Sequence, residues 1–305
     1  MKDKSLKLLY IAPETLLRTN DYDELWFLDF LKTECSINHI ALDECHAVVQ
    51  SSQDFRPKYR QLGILKEYFE DIPFTCLTAT ATKDNIQEIT SLLGMTDYTV
   101  FDHHLYRPNL HQNVIRKIDE MYQLMSLLRQ YTKTTTGLIY CNTREKCKEI
   151  SDYLNKNGYN TAYFYSTIGK KEKKRILDGF IDGSISKIIC TSAFGTGINK
   201  DNVRFVINLD VPASLNDYVQ QAGRSGRDGL VSNIYTFYHP SDITKLKYIL
   251  RMSTTSPIRL RKSYEVLDEV VNYCLNTKQC RNQLLLQAYN QTLEKDCGTC
   301  DNCKN

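Results

Sequence analysis

The sequence predicts an α/β protein of two parallel-sheet lobes followed by a small helical subdomain that binds metal, and three observations lead there. Short apolar runs alternate with amphipathic stretches over most of the chain; that alternation breaks once, near residue 105; and cysteines crowd into the tail. With 305 residues, 42% of them apolar, there is material for two modest cores and an appendage.

The runs are Leu6 to Ile11, Ile37 to Leu42 and Phe74 to Leu77, then Gly137 to Tyr140, Thr161 to Tyr165, Lys187 to Cys190 and Arg204 to Leu209. Each is short, β-branched or aromatic, and continuous rather than alternating, as expected of strands covered on both faces. Helices are expected over Asp84 to Leu93, Thr143 to Asn157 and Lys170 to Asp182, the last so charged that it reads as a solvated face. At Asp102 to Asn109 charge, His, Pro and Asn interrupt the pattern, which restarts at Leu110. The expected domains are therefore 1–105, 106–240 and 241–305. His103 and His104 in this linker have no Cys or carboxylate at ligand spacing, so an exposed hinge is expected there.

Thirty-nine Lys and Arg against 36 Asp and Glu make any nucleic-acid surface a local one. Met1 to Leu6 lacks the apolar core of a signal peptide, and no later segment approaches the ~20 apolar residues of a membrane span. A soluble, intracellular protein with no membrane partner is expected, in cytoplasm or nucleoid if bacterial and in the nucleus if eukaryotic. Of eleven cysteines, five lie in the last 32 residues, which suits a reducing compartment with one metal site. Cys280, Cys297, Cys300 and Cys303 have the spacing C-x16-C-x2-C-x2-C. Three thiolates at every third position can converge, with a distant fourth, on one tetrahedral Zn²⁺. Cys274, six residues before Cys280, is the rival fourth ligand.

Asp43 and Glu44 follow an apolar strand and so stand at the carboxyl edge of a parallel sheet, where α/β folds bind ligands. In a nucleotide-hydrolysing site the first acid can hold Mg²⁺ and the second can orient water. A lone acidic pair more often caps a helix. Far along the chain, Gln220 to Gly229 holds Arg224 and Arg227, which can share one face of a helix end and stabilise phosphoryl charge. Thr78-Ala79-Thr80-Ala81 offers hydroxyls at another strand end.

Ala12-Pro13-Glu14, Asp43-Glu44-Cys45-His46, Asp54-Phe55-Arg56-Pro57, Thr78 to Ala81, Ile139-Tyr140-Cys141, Ala193 to Lys200 and Gln220 to Gly229 stand in one order, and that order resembles the RecQ branch of the superfamily-two helicases. The cysteine tail is similar to that family's zinc-binding subdomain, in whose pattern Cys274 matches a position that does not bind metal. The resemblance covers essentially the whole chain. It implies two RecA-like lobes, the first incomplete, with ATP between them and DNA tracked across both. Asp43 and Glu44 would be the metal and water-activating pair, and His46 would couple the site to the second lobe. Arg227 would be the main arginine finger with Arg224 beside it, and Gln220 a sensor. Gly195 and Gly197 would help line the nucleotide cleft, within a stretch from Phe194 to Asn199 that lines DNA as well. Thr78 and Thr80 would pass nucleotide state to the strand, and DNA would meet Phe55, Arg56, Arg144 and Lys200. The implied cofactors are structural Zn²⁺, ATP and Mg²⁺; the partner is single-stranded or partly duplex DNA.

The sequence departs from that pattern in three places. No Gly-x-x-x-x-Gly-Lys-[Ser/Thr] occurs, so nothing cradles the β- and γ-phosphates. The expectation is a fragment or split-gene product, completed by an upstream polypeptide that carries the loop. Ser51 and Gln53 stand where the family has a Trp and a His that sense DNA. The sequence also stops two residues after Cys303, before the family's winged helix. The expected function is a 3′-to-5′ ATP-dependent DNA helicase acting in recombination, repair or replication. A non-catalytic DNA-binding or scaffold protein is the alternative, and an RNA helicase is disfavoured by the zinc cluster and Asp54-Phe55-Arg56-Pro57.

Overall fold

A computed structural model describes residues 7–19, 25–50, 57–79, 81–194 and 199–304. Two units divide between His103 and His104.

The first unit runs α1 (Pro13–Leu16), α2 (Trp26–Glu34), β1 (Ile40–Leu42), α3 (Ala47–Gln50), a 3₁₀ turn (Pro57–Gly63), α4 (Ile64–Tyr68), β2 (Phe74–Cys76) and α5 (Lys83–Leu92). β1 and β2 pair in parallel, Ile40 opposite Phe74 and Leu42 opposite Cys76. Leu28 and Leu31 of α2, Val48 of α3, Leu65 of α4 and Ile89 of α5 close over the pair in one apolar cluster. The apolar run from Leu6 to Ile11 is not a strand: residues 7–11 carry no regular structure, and Tyr10 is exposed. Thr82 caps α5 by accepting the Asn85 amide, the arrangement that satisfies an otherwise orphaned first-turn donor.

The second unit contains a six-stranded, wholly parallel sheet ordered β3-β8-β7-β4-β6-β5. In chain order it runs β3 (Leu110–Arg116), α6 (Glu120–Leu128), β4 (Gly137–Tyr140), α7 (Arg144–Lys156), β5 (Thr161–Phe164), α8 (Lys170–Asp182), β6 (Lys187–Cys190), β7 (Phe205–Asn208), α9 (Leu215–Ala222) and β8 (Ser232–Tyr238). Period-two alternation divides the buried strand residues between two cores. Leu138, Ile188 and Val206 face the cluster built with α8 and α9, whereas Ile139, Ile189 and Ile207 face the one built with α6 and α7. Gly137 is glycine for a packing reason, since a Cβ there would sit 2.1 Å from the Phe205 ring. Two strands escape the apolar-run reading: β3, whose Gln112 and Asn113 disguise it, and β8, with polar Ser232 and Asn233 at its start.

Four helices complete this unit: α10 (Pro240–Ser253), α11 (Pro257–Leu275), α12 (Arg281–Ala288) and α13 (Asp301–Lys304). His239 and Asp242 close a capping box ahead of α10. Leu267, Val270, Tyr273 and Leu285 from this region join the same apolar cluster as Leu110 and Ile234 of the sheet. A buried polar network fastens it further. Tyr218 donates to Gln112 Oε1 at 3.2 Å, Tyr273 donates to the same oxygen, and Gln112 Nε2 donates to Asn282 Oδ1 at 2.6 Å. Arg281, 2% exposed, grips Asp301 through Nε (2.9 Å) and Nη2 (3.0 Å), while Asp301 Oδ2 accepts the Val114 amide of edge strand β3 at 3.0 Å. The tail is thus built into the lobe that precedes it. No described helix is long and apolar enough to cross a membrane.

Candidate functional site

Among the described residues, three groups of side chains could carry chemistry, one in the first unit and two in the second. In the first, the chain leaves β1 in a tight turn held by the Leu77 amide on Leu42 O and the Cys45 amide on Leu77 O, both 2.9 Å. Glu44 adopts φ +51°, a left-handed conformation rare for a residue with a side chain. Asp43 Oδ1 accepts the Glu44 amide at 2.9 Å, and the Asp43 and Glu44 side chains stand exposed at the strand's carboxyl end. His46 lies buried beneath them, its Nδ1 3.2 Å from Glu44 Oε2 and 2.9 Å from Thr78 Oγ1. Burial pushes the imidazole below its usual pKa, against the opposing pull of Glu44 and Asp43. A neutral His46 can donate or accept at that nitrogen, and so joins the acid turn to the segment after β2.

In the second unit α9 ends at Ala222, and both arginines lie beyond it rather than together on a helix face. Arg224 is half-buried beside Tyr140 and Cys190, with its Nε buried and without a hydrogen bond. Arg227 is exposed and donates from Nη1 to Asn199 Oδ1 at 2.8 Å. The loop that carries them is clamped from the start of the unit. Arg107 donates to the carbonyls of Gly223 (3.2 Å), Ser225 (3.1 Å) and Gly226 (2.5 Å), and Asn109 Nδ2 donates to those of Gly226 (2.8 Å) and Leu230 (3.0 Å). Gly226 has φ +56°, and a Cβ on it would meet Asn109 Nδ2 at 2.6 Å, so the clamp needs glycine there. Burial and the neighbouring Arg227 charge lower the Arg107 pKa; a guanidinium remains charged regardless. Arg204 fixes the far side of the loop by pairing with Asp228 at 2.5 Å.

The third group is the cysteine cluster. The sulfurs of Cys280, Cys297, Cys300 and Cys303 all lie within 4.8 Å of one another. Tetrahedral thiolates about 2.3 Å from one Zn²⁺ stand about 3.8 Å apart; Cys297 and Cys303 are separated by 3.8 Å and Cys300 and Cys303 by 3.3 Å. Backbone amides point at the sulfurs as they do around bound thiolates: Cys297 N on Cys280, Arg281 N on Cys300, and both Thr299 N and Cys300 N on Cys297, each at 3.4 Å. At Cys297 burial is outweighed by donors from Thr299, Asn282 and Cys300, which hold the pKa at about 6, while burial pushes the Cys300 and Cys303 thiols up. Cys274 stands outside the group, its thiol pushed up to about 12 chiefly by burial. The donor set fits structural zinc.

Comparison with known proteins places this geometry. The family described as "RecQ zinc-binding" matches residues 240–304, and "Helicase conserved C-terminal domain" matches residues 116–229. The "ATP-dependent DNA helicase RecQ" of Pasteurella multocida is 33% identical over 299 residues, covering 98% of this chain and 46% of that protein. The chain belongs to the RecQ helicase family. The Haemophilus influenzae protein of the same description is 34% identical over 298 residues with the same coverage, so this RecQ chain spans about half the length of these curated relatives. Saccharomyces cerevisiae Dbp5, solved bound to RNA and ADP BeF3, superposes with a TM-score of 0.56 at 18% identity, over 79% of this chain and 67% of that one; it shares the fold.

Other residues singled out in the RecQ pattern fall less evenly. Arg144 opens α7, is exposed, and lies over the Tyr165 ring at 5.9 Å. Gln220 sits half-buried in α9. Lys200 is half-buried, and its ammonium donates to Ile181 O at 2.8 Å beside the Phe180 ring. Phe194 does not line DNA: it is 1% exposed and packs edge-on against Phe164 at 5.0 Å. Phe55, Arg56, Thr80, Gly195 and Gly197, with Ser51 and Gln53, lie outside the described residues. Arg107 and Asn109, which hold the loop of Arg224 and Arg227, are residues that sequence reading missed. Arg107-Pro108-Asn109 reads as a linker, and nothing local ties it to a loop more than a hundred residues away.

Proposed function

We propose that this RecQ chain forms part of an ATP-dependent DNA helicase that moves 3′ to 5′ along one strand and serves recombination, repair or replication. The observation that carries the proposal is the Glu44–His46–Thr78 contact. It ties a water-activating acid to the Thr78 segment, whose family role is to report nucleotide state to the strand. Asp43 would hold Mg²⁺ and Glu44 would orient water on the γ-phosphate of ATP; Arg227, exposed on its clamped loop, would serve as the arginine finger. Arg224 acts from within as a positioning residue, and Gln220 as a sensor. Productive ATP binding also requires a glycine-rich phosphate cradle. Arg144, with Phe55, Arg56, Thr78, Thr80 and Lys200, would provide DNA contacts, mostly to phosphates and therefore indifferent to sequence.

The test is strand separation by the protein supplied upstream with a Gly-x-x-x-x-Gly-Lys-Ser loop. A duplex with a 3′ single-stranded tail should be opened with ATP, and one with a 5′ tail should not. Equal opening of both, or a preference for RNA tails, would contradict the proposal; DNA binding with no ATP-driven opening would favour a scaffold role.

A further inference from the structure

We propose that Cys45 and Cys76 form an oxidation-sensitive dithiol, a modification site that hydrogen peroxide closes to a disulfide, pinning the Glu44–His46 turn to the end of β2. Neither the site nor its test depends on the ATP reading above. The backbone sets the pair side by side. Leu42 of β1 lies opposite Cys76 of β2, and once the chain has turned after β1 the Cys45 amide returns to Leu77 O at 2.9 Å. Both side chains enter the apolar cluster of the first unit, and their thiols hydrogen-bond to one another. Cys76 in turn donates to Met95 Sδ at 3.7 Å, so Cys45 is the donor within the pair.

The two thiols differ in what they can do. Cys76 is half-buried, and the hydrogen bond it accepts from Cys45 holds its thiol below the ordinary pKa, against the opposing effect of burial. Cys45 is 3% exposed and meets an oxidant only through its neighbour. The order of events follows. The Cys76 sulfur attacks one oxygen of hydrogen peroxide; an S–O bond forms, the O–O bond breaks, and the departing oxygen leaves as water with the Cys76 proton. The Cys45 sulfur then attacks the Cys76 sulfur; the S–S bond forms, the S–O bond breaks, and a second water leaves with the Cys45 proton. Two thiols and one peroxide thus give one disulfide and two waters. Cys141 and Cys147 also touch, but at 3% and 0% exposure both are sealed in the core of the second unit. Position gives the first pair its consequence. Cys45 stands between Glu44, in its left-handed conformation, and His46, which reaches Thr78 two residues past Cys76. A disulfide would cross-link the same two strand ends that His46 joins by a hydrogen bond.

Peptide mapping of the full chain tests this. The folded protein is treated with hydrogen peroxide, remaining thiols are blocked, and tryptic peptides are compared before and after reduction with dithiothreitol. The expected product joins residues 33–58 to residues 67–83, is lighter than the two peptides together by two hydrogens, and disappears on reduction. Cys35 shares a peptide with Cys45, so Cys35→Ala should keep the link, whereas Cys45→Ala and Cys76→Ala should each lose it while melting like the parent in dithiothreitol. Deuterium exchange of the amides of residues 44–48 and 77–79 should slow by about tenfold or more on oxidation and recover on reduction. No link in the folded parent, or the same link in Cys45→Ala, would overturn the proposal. So would linkage of Cys141 to Cys147 at an equal rate, because oxidation would then follow unfolding. A link that left exchange unchanged would overturn the pinning of the turn.

Discussion

Arg227→Ala is expected to lower ATP turnover about 10³-fold in the loop-supplied protein, with DNA affinity and melting temperature unchanged. Removing an arginine that meets phosphoryl charge has effects of that order, and the side chain is exposed with its Nη1 on Asn199, so its loss opens no cavity. Arg224→Ala should behave differently. Its guanidinium is half-buried against Tyr140 and Cys190 at the sheet edge, so truncation should cost about 1–3 kcal/mol of stability as well as turnover. Arg107→Met would separate position from chemistry. It leaves Arg227 in place but removes three hydrogen bonds that hold its loop, and it should lower kcat by less than Arg227→Ala does. Steady-state kinetics with parallel thermal melts decide the matter. If Arg227→Ala kept more than a tenth of the parent's turnover, Arg227 would not be the finger.

Cys300→Ser is expected to abolish zinc binding and to destabilise the whole second unit, not the tail alone. Cys300 is fully buried and accepts the Arg281 amide. Its neighbour Asp301 accepts from both Arg281 and the Val114 amide of β3. Losing the metal therefore frees the residue that occupies the edge of the six-stranded sheet. Structural zinc contributes on the order of 10 kcal/mol of binding free energy to small domains. Even a third of that should lower the melting temperature of a unit this size by about 10 °C. Cys274→Ser is the control, because that thiol lies outside the cluster. Metal analysis should find one zinc per chain in the parent and in Cys274→Ser and none in Cys300→Ser; one zinc in all three would remove Cys300 from the ligand set.

The parallel sheets were readable because fully buried strands such as Leu138 to Tyr140 and Ile188 to Cys190 are continuous apolar runs, and the cysteine cluster because ligand spacing is local. β3 was not, since its inward Gln112 is satisfied by Tyr218, Tyr273 and Asn282, partners that only the tertiary fold brings near. The run before Ile11 misled in the opposite sense, being apolar yet unpaired over its described residues. At the candidate site, motif order singles out Asp43, Glu44 and Arg227, but not what holds them. The left-handed turn at Glu44 and the clamp of Arg107 on Gly223 to Gly226 depend on backbone geometry and on contacts across more than a hundred residues. Phe194 shows the converse, because membership of a motif does not tell a side chain that lines a ligand from one that packs into the core.

ATP hydrolysis by the loop-supplied protein, with and without single-stranded DNA and with Asp43→Asn in parallel, tests the central claim most directly. The account predicts turnover that DNA stimulates and that Asp43→Asn abolishes while DNA affinity stays the same. Turnover that survives Asp43→Asn, or that is indifferent to DNA, would contradict it.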